Sequence, residues 1–210
     1  MLHQTNILRL YASASGNKFY YGGLGNEIDY TEGAKQISGA LAVGWEATLD
    51  TAEADLRDQL KAHPNAQVNL YGFSRGAAEA VEFARRIKDK KLGDVNFLGL
   101  FDPVYSRGLP GSWSFNVDPS KPGNEGNFVH VILPSNVHHA GVIYAQHDER
   151  SMFKYAAFTY DEGTHLMRIK SPGQHCDIGG HWENVAPLVS LNLHNMAIVV
   201  LLPHSWSTIL

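Results

Sequence analysis

An α/β fold built on a mostly parallel sheet is what this sequence predicts, and three stretches carry that expectation. Residues 68–71 (VNLY) alternate apolar and polar side chains, as a strand meeting a core does. Residues 77–88 follow as a good helix former, with Ala77, Val81, Ala84 and Ile87 on one face. Residues 95–101 (VNFLGLF) are almost entirely apolar, which suits a strand buried on both faces of a parallel sheet. Strand and helix patterns alternate from Val68 to about Leu133. With 210 residues, 44% of them hydrophobic, the chain can bury one sizeable core, so a single domain over residues 1–210 is expected.

In chain order, residues 6–11 (NILRLY) read as a strand or one helical turn, and residues 18–21 (KFYY) as a strand. The glycines that follow, Gly22, Gly23 and Gly25, lack both the dinucleotide-binding spacing and a phosphate-loop lysine, so a plain loop is expected. Residues 33–44 have the small and apolar side chains of a tightly packed helix. Residues 46–62 are a clearer helix, with Leu49, Ala52, Leu56 and Leu60 on one side and His63-Pro64 ending it. After residue 101 comes Asp102-Pro103, then a Gly/Pro/Ser/Asn-rich stretch over 105–127 long enough to serve as a lid or acyl-contact loop. Residues 128–133 (FVHVIL) read as the next buried strand, and 134–148 as including a helix. Residues 156–160 and 166–170 suggest a hairpin around Asp161-Glu162-Gly163. A polar, Gly-rich loop spans 171–182, and a mostly apolar terminal helix 184–202.

The organising motif is Gly72-Phe73-Ser74-Arg75-Gly76, a G-x-S-x-G run set between strand and helix. Such a turn lifts a serine hydroxyl out of a sheet, and its glycines avoid collisions with nearby backbone. The helix that follows aims its partially positive N-terminus at the reaction centre. The arrangement is the nucleophile elbow of α/β-hydrolases. The bland alternative is a turn in which Ser74 only caps the helix.

A serine hydroxyl becomes nucleophilic when a histidine removes its proton and an acid orients that histidine. In this fold the order along the chain is Ser, acid, His. His175 follows the last expected strand in a loop able to reach the sheet edge; His165 and His181 are weaker candidates. Two acids are in play. Asp102 directly follows the strand after the elbow, and Asp148 follows the next strand. An oxyanion hole would draw on the Arg75 backbone N–H and on an N-terminal loop donor such as Gly23.

Two other chemistries compete with a serine hydrolase. A metal-dependent hydrolase would use His175, Asp177, His181 and one of His138 or His139, although no second motif of familiar ligand spacing completes that set. A non-catalytic module would keep the elbow for folding and bind a partner. A net charge of −4 with no basic block argues against nucleic acid. One cysteine, Cys176, rules out an internal disulfide and fits a reducing compartment. The N-terminus lacks a basic segment followed by a long apolar run, so the chain is expected to be cytoplasmic as synthesised, with any export by a non-Sec route. No cofactor is expected.

Gly72-Phe-Ser-Arg-Gly-Ala77, Phe101-Asp-Pro-Val104, Asp148-Glu-Arg150 with Phe153, and the run from Pro172 to Gly180 (PGQHCDIGG) recur in this order in one family. The chain resembles the α/β-hydrolase family of type VI secretion phospholipase effectors and their uncharacterised relatives. Residues 6–11 and 21–25 match its early segment too. The resemblance implies an α/β-hydrolase-like three-layer sandwich, with Ser74 as nucleophile, Asp102 as acid and His175 as base. It implies a lipid or other carboxylic ester as substrate, with transient contact at a membrane surface. Two departures stand out. Pro103 replaces a usual threonine, and the chain starts downstream of the apolar strand and Asp-Gly-Thr loop with which members begin. The expected sheet therefore lacks the usual first strand, and the large additional domains of the secreted effectors are not represented.

Overall fold

The computed structural model describes residues 5–21, 45–105, 128–147, 155–160, 163–180 and 199–202. Its frame is a six-stranded sheet. Four strands run parallel to one another: β2 (Val68–Phe73), β3 (Val95–Phe101), β5 (Val137–Ala145) and β7 (His165–Ser171). On the far side of β2 lie β8 (Val199–Leu202), antiparallel to it, and then β1 (Asn17–Tyr20). A separate two-stranded parallel sheet joins β4 (Phe128–Ile132) to β6 (Tyr155–Thr159).

Alternation along β2 divides the molecule. Val68 and Leu70 enter the main core with α2 (Trp45–Ala62), α3 (Arg75–Asp89), β3 and β5. Leu49, Ala52 and Leu56 of α2 meet Ala77, Val81, Ala84 and Ile87 of α3 there, as the helical spacing requires. Arg86 of α3 ties the two helices at the surface through Glu46, Asp50 and Glu53 of α2. On the other face Phe73 packs with Ile7 of α1 (Asn6–Ser13), flanked by Tyr11, Tyr20, Tyr71 and Phe101. Helix α1 starts at Thr5, whose hydroxyl accepts the Leu8 N–H at 3.2 Å. Helices thus flank the parallel sheet on both faces, the α/β-hydrolase-like arrangement. Among the described residues, no helix is long and apolar enough to cross a membrane.

Several elements differ from the expectation. Residues 6–13 form a helix of two turns rather than a strand or a single turn. The strand 128–132 is not the next member of the main sheet but half of the small one. The main sheet's next strand is β5, where a helix was expected. The buried positions of β5 are Val137, Ala140, Val142 and Ala145. Their irregular three- and two-residue spacing imitates a helical face, because both strand ends are buried along with alternate positions in the middle. The expected hairpin is absent: β6 and β7 follow one another in sequence but belong to different sheets. Residues 199–202 are a strand and not the end of a helix. Val199 and Val200 are β-branched, and such residues favour a pleated neighbour on each side. The expected helix at 33–44, the lid loop over 106–127 and most of the terminal helix lie outside the described residues.

Candidate active site

The three parallel strands β2, β3 and β5 end side by side, and their ends build the site. Ser74 directly follows β2, with φ 58° and ψ −124°. That conformation is uncommon for a residue with a side chain and marks local strain. The surrounding bonds enforce it. The Ser74 N–H donates to Phe101 O at 2.9 Å, and Ser74 O accepts from Ala77 at 3.1 Å and from Val104 at 3.1 Å. The turn also requires Gly72, because a Cβ there would lie inside the backbone of Gly76 and Ala77. Ser74 occupies the N-cap position of α3, yet its hydroxyl makes no capping bond to the helix. The bland reading of the motif therefore fails.

Asp102 directly follows β3, at φ 39°. Its N–H donates to Ile143 O at 2.7 Å, extending the ladder to β5 by one bond. One carboxylate oxygen, Oδ1, accepts the Ala145 N–H at 2.9 Å. The other, Oδ2, lies 2.6 Å from His175 Nδ1. His175 Nε2 in turn lies 2.9 Å from Ser74 Oγ. All three side chains are buried, at 2% exposure for Ser74, 2% for Asp102 and 5% for His175. The proton positions follow from donor chemistry. A carboxylate only accepts, so Nδ1 carries the ring proton, and Nε2 of the neutral ring accepts from the serine hydroxyl.

His175 opens a short helix, α4 (His175–Gly179), in a segment expected to be loop. Gln174 and Asp177 cap it reciprocally, Asp177 Oδ2 accepting the Gln174 N–H at 2.7 Å. Asn6 of α1 anchors it by donating from Nδ2 to Ile178 O at 2.9 Å. The imidazole packs on the ring of Phe73, with centroids 4.5 Å apart. Phe73 precedes the serine, and its packing role carries no signal in a motif that leaves that position open.

Electrostatics at the rim come from three further side chains. Burial pushes the Arg75 guanidinium below its ordinary value, and the Glu79 carboxylate one turn along α3 pulls it partly back. Glu79 itself is 2% exposed, so these charges sit together in a poorly solvated place. Tyr144 of β5 is pushed up to about 12, first by burial, with Asp102 adding and Arg168 opposing.

The other sequence candidates fall elsewhere. His139 and His165 stack on each other as register partners at the start of β5 and β7, with ring centroids 5.2 Å apart. His138 pairs with Asp94 at 3.1 Å, also at the strands' beginnings. Both places are at the opposite edge of the sheet from Ser74. The expected metal set is therefore dispersed, with His175 engaged by Asp102 and Ser74 and Asp177 engaged as a cap. Among the described residues no three His, Cys, Asp or Glu side chains gather as a metal site would need. Asp148, His181 and Gly23 lie outside the described residues. Cys176 is an exposed free thiol.

Comparison with known proteins adds the family. No curated protein matches the chain. A solved structure described as an uncharacterized protein from Pseudomonas aeruginosa is similar, with 22% identity and a TM-score of 0.35; the match covers 67% of this chain and 23% of that one. The chain thus spans about a quarter of that protein's length. A family model described as "T6SS, Phospholipase effector Tle1-like, catalytic domain" matches residues 78–201, more than half of the chain, taking in Asp102 and His175 and beginning just after Ser74. The chain belongs to this family of type VI secretion phospholipase effector catalytic domains.

Proposed function

We propose that the protein is a serine hydrolase that cleaves carboxylic esters, of the lipid or phospholipid acyl class, through an acyl-enzyme. The observation that carries this reading is the continuous chain of contacts from Asp102 through His175 to Ser74 Oγ, at 2.6 and 2.9 Å. His175 Nε2 takes the serine proton as Oγ attacks the ester carbonyl, and the imidazolium that forms is held by the Asp102 carboxylate. The oxyanion meets the Arg75 N–H at the N-terminus of α3, where the helix dipole favours negative charge. Gly23 is our candidate for the second donor. His175 then returns its proton to the departing alcohol. Water enters, loses a proton to the same Nε2, and releases the fatty acid. The family supports the lipid part of the reading, and export by a non-Sec route belongs with it.

The test is the Ser74→Ala variant with a fluorophosphonate probe and a panel of aryl esters and phospholipids. The wild type takes the label on Ser74 and turns over esters. The variant loses labelling and at least about a thousandfold in kcat while keeping its circular dichroism spectrum. A variant as active as the wild type overturns the serine mechanism. An unlabelled, inactive but folded wild type assigns the chain to the non-catalytic alternative.

A further inference from the structure

The end of β5 holds more of the site than its acid. Three consecutive backbone N–H groups reach across from it. Ala145 donates to Asp102 Oδ1 at 2.9 Å, Gln146 to Ser171 O at 2.9 Å, and His147 to Gly173 O at 3.0 Å. The first bond places the acid, and the other two place the segment that leads into His175. The His147 side chain then returns to the same residue, its Nδ1 accepting the Gly173 N–H at 3.2 Å. One residue thus grips both polar groups of Gly173.

Gly173 has little room to answer except as a unit. Its φ is +112°, and a Cβ there would lie 2.7 Å from Asp177 Oδ2. Asp177 is engaged in turn with the Gln174 N–H. The residues just before His175 are therefore clamped from two sides, by His147 across the strand end and by Asp177 within α4. We infer that His147 is a positioning residue for the His175–Asp102 pair, acting through the two peptides that meet at Gly173. The side-chain bond uses the lone pair on Nδ1, which leaves Nε2 as the ring nitrogen that carries a hydrogen. The same strand end fixes acid and base in one frame, and His147 is the side chain that completes the frame.

This inference rests on the hydrolase reading for its kinetic arm only. The experiment compares wild type, His147→Ala and His147→Asn as full chains. Asparagine Oδ1 and histidine Nδ1 both sit one bond beyond Cγ, so the asparagine can accept the Gly173 N–H. Two readouts are taken: kcat and KM on a soluble aryl ester, and the deshielded proton NMR signal of His175 Nδ1–H. His147→Ala should lower kcat between about threefold and tenfold with KM nearly unchanged, the scale of one lost hydrogen bond. It should also move the proton signal upfield or broaden it, and His147→Asn should restore both. An unmoved signal in His147→Ala, or an asparagine variant as impaired as alanine, overturns the inference. A wild type without ester turnover, whose signal still responds to His147→Ala and recovers in His147→Asn, leaves the positioning role standing and removes the ester reading instead.

Discussion

The ring of Phe73 lies against the imidazole of His175, with centroids 4.5 Å apart, and Phe73 is the residue immediately before Ser74. The strand that delivers the hydroxyl therefore also supports the group that activates it. Gly179 at the end of α4 permits this, since a Cβ there would intrude on the Phe73 ring.

Replacing Phe73 by alanine should thus harm two things at once. Loss of a buried phenyl ring costs about 3–5 kcal/mol of stability. The imidazole also loses its support, so kcat should fall beyond what partial unfolding explains. Thermal melts together with kcat measured well below the melting temperature separate the two effects. Phe73→Leu should keep more of both.

Asp102→Asn should reduce kcat by about 10⁴-fold, the cost of a histidine held in the wrong tautomer. The Asp148→Asn variant addresses the alternative acid and should stay within about twofold of wild type. Steady-state kinetics on one ester decide between them. Large loss in the second variant and little in the first would transfer the orienting role to Asp148.

Gly72→Ala places a methyl group inside the backbone of the following turn. Overpacking of this kind costs typically 1–3 kcal/mol and more where backbone must move, so a melting-temperature drop of several degrees is expected. Since the displaced turn carries Ser74, probe labelling should slow in the fraction that remains folded.

Alkaline stability should fall in a defined window. Burial raises the hydroxyls of Tyr20, Tyr71 and Tyr144 above the ordinary value of 10.0, and Tyr144 to about 12. A raised folded value means the folded state holds the proton more tightly than the unfolded one. The corresponding stability is complete below pH 10.0 and is lost as pH climbs through about 12. Denaturant midpoints at increasing pH should decline across that range, and Tyr144→Phe should decline less steeply.

How much of this could be read beforehand depended on how local the signal was. The turn around Ser74 was legible because strand, glycine-flanked serine and helix are all encoded within about twenty residues. Asp102 was legible because β3 is almost entirely apolar and stops abruptly at an acid. The site's partner strands were not. Nothing within residues 128–132 says that they pair with 155–159 rather than with β3, because sheet membership is settled by distant packing. Strand β5 was not legible because its buried positions, Val137, Ala140, Val142 and Ala145, depart from strict alternation. Segment 199–202 was misread because an unbroken apolar run carries no period to separate strand from helix.

That last segment has a consequence for how the molecule comes into being. Residues 199–202 sit between β1 and β2, so a strand made after both of them joins the two. Until it arrives, a growing polypeptide presents β2 with one flank unpaired and gives β1 nowhere to attach. His175 is also synthesised about a hundred residues after Ser74. A nascent chain therefore carries its serine unarmed for about a hundred residues of synthesis, and the unpaired flank of β2 is the place where a chaperone, or a misfolded neighbour, would first take hold.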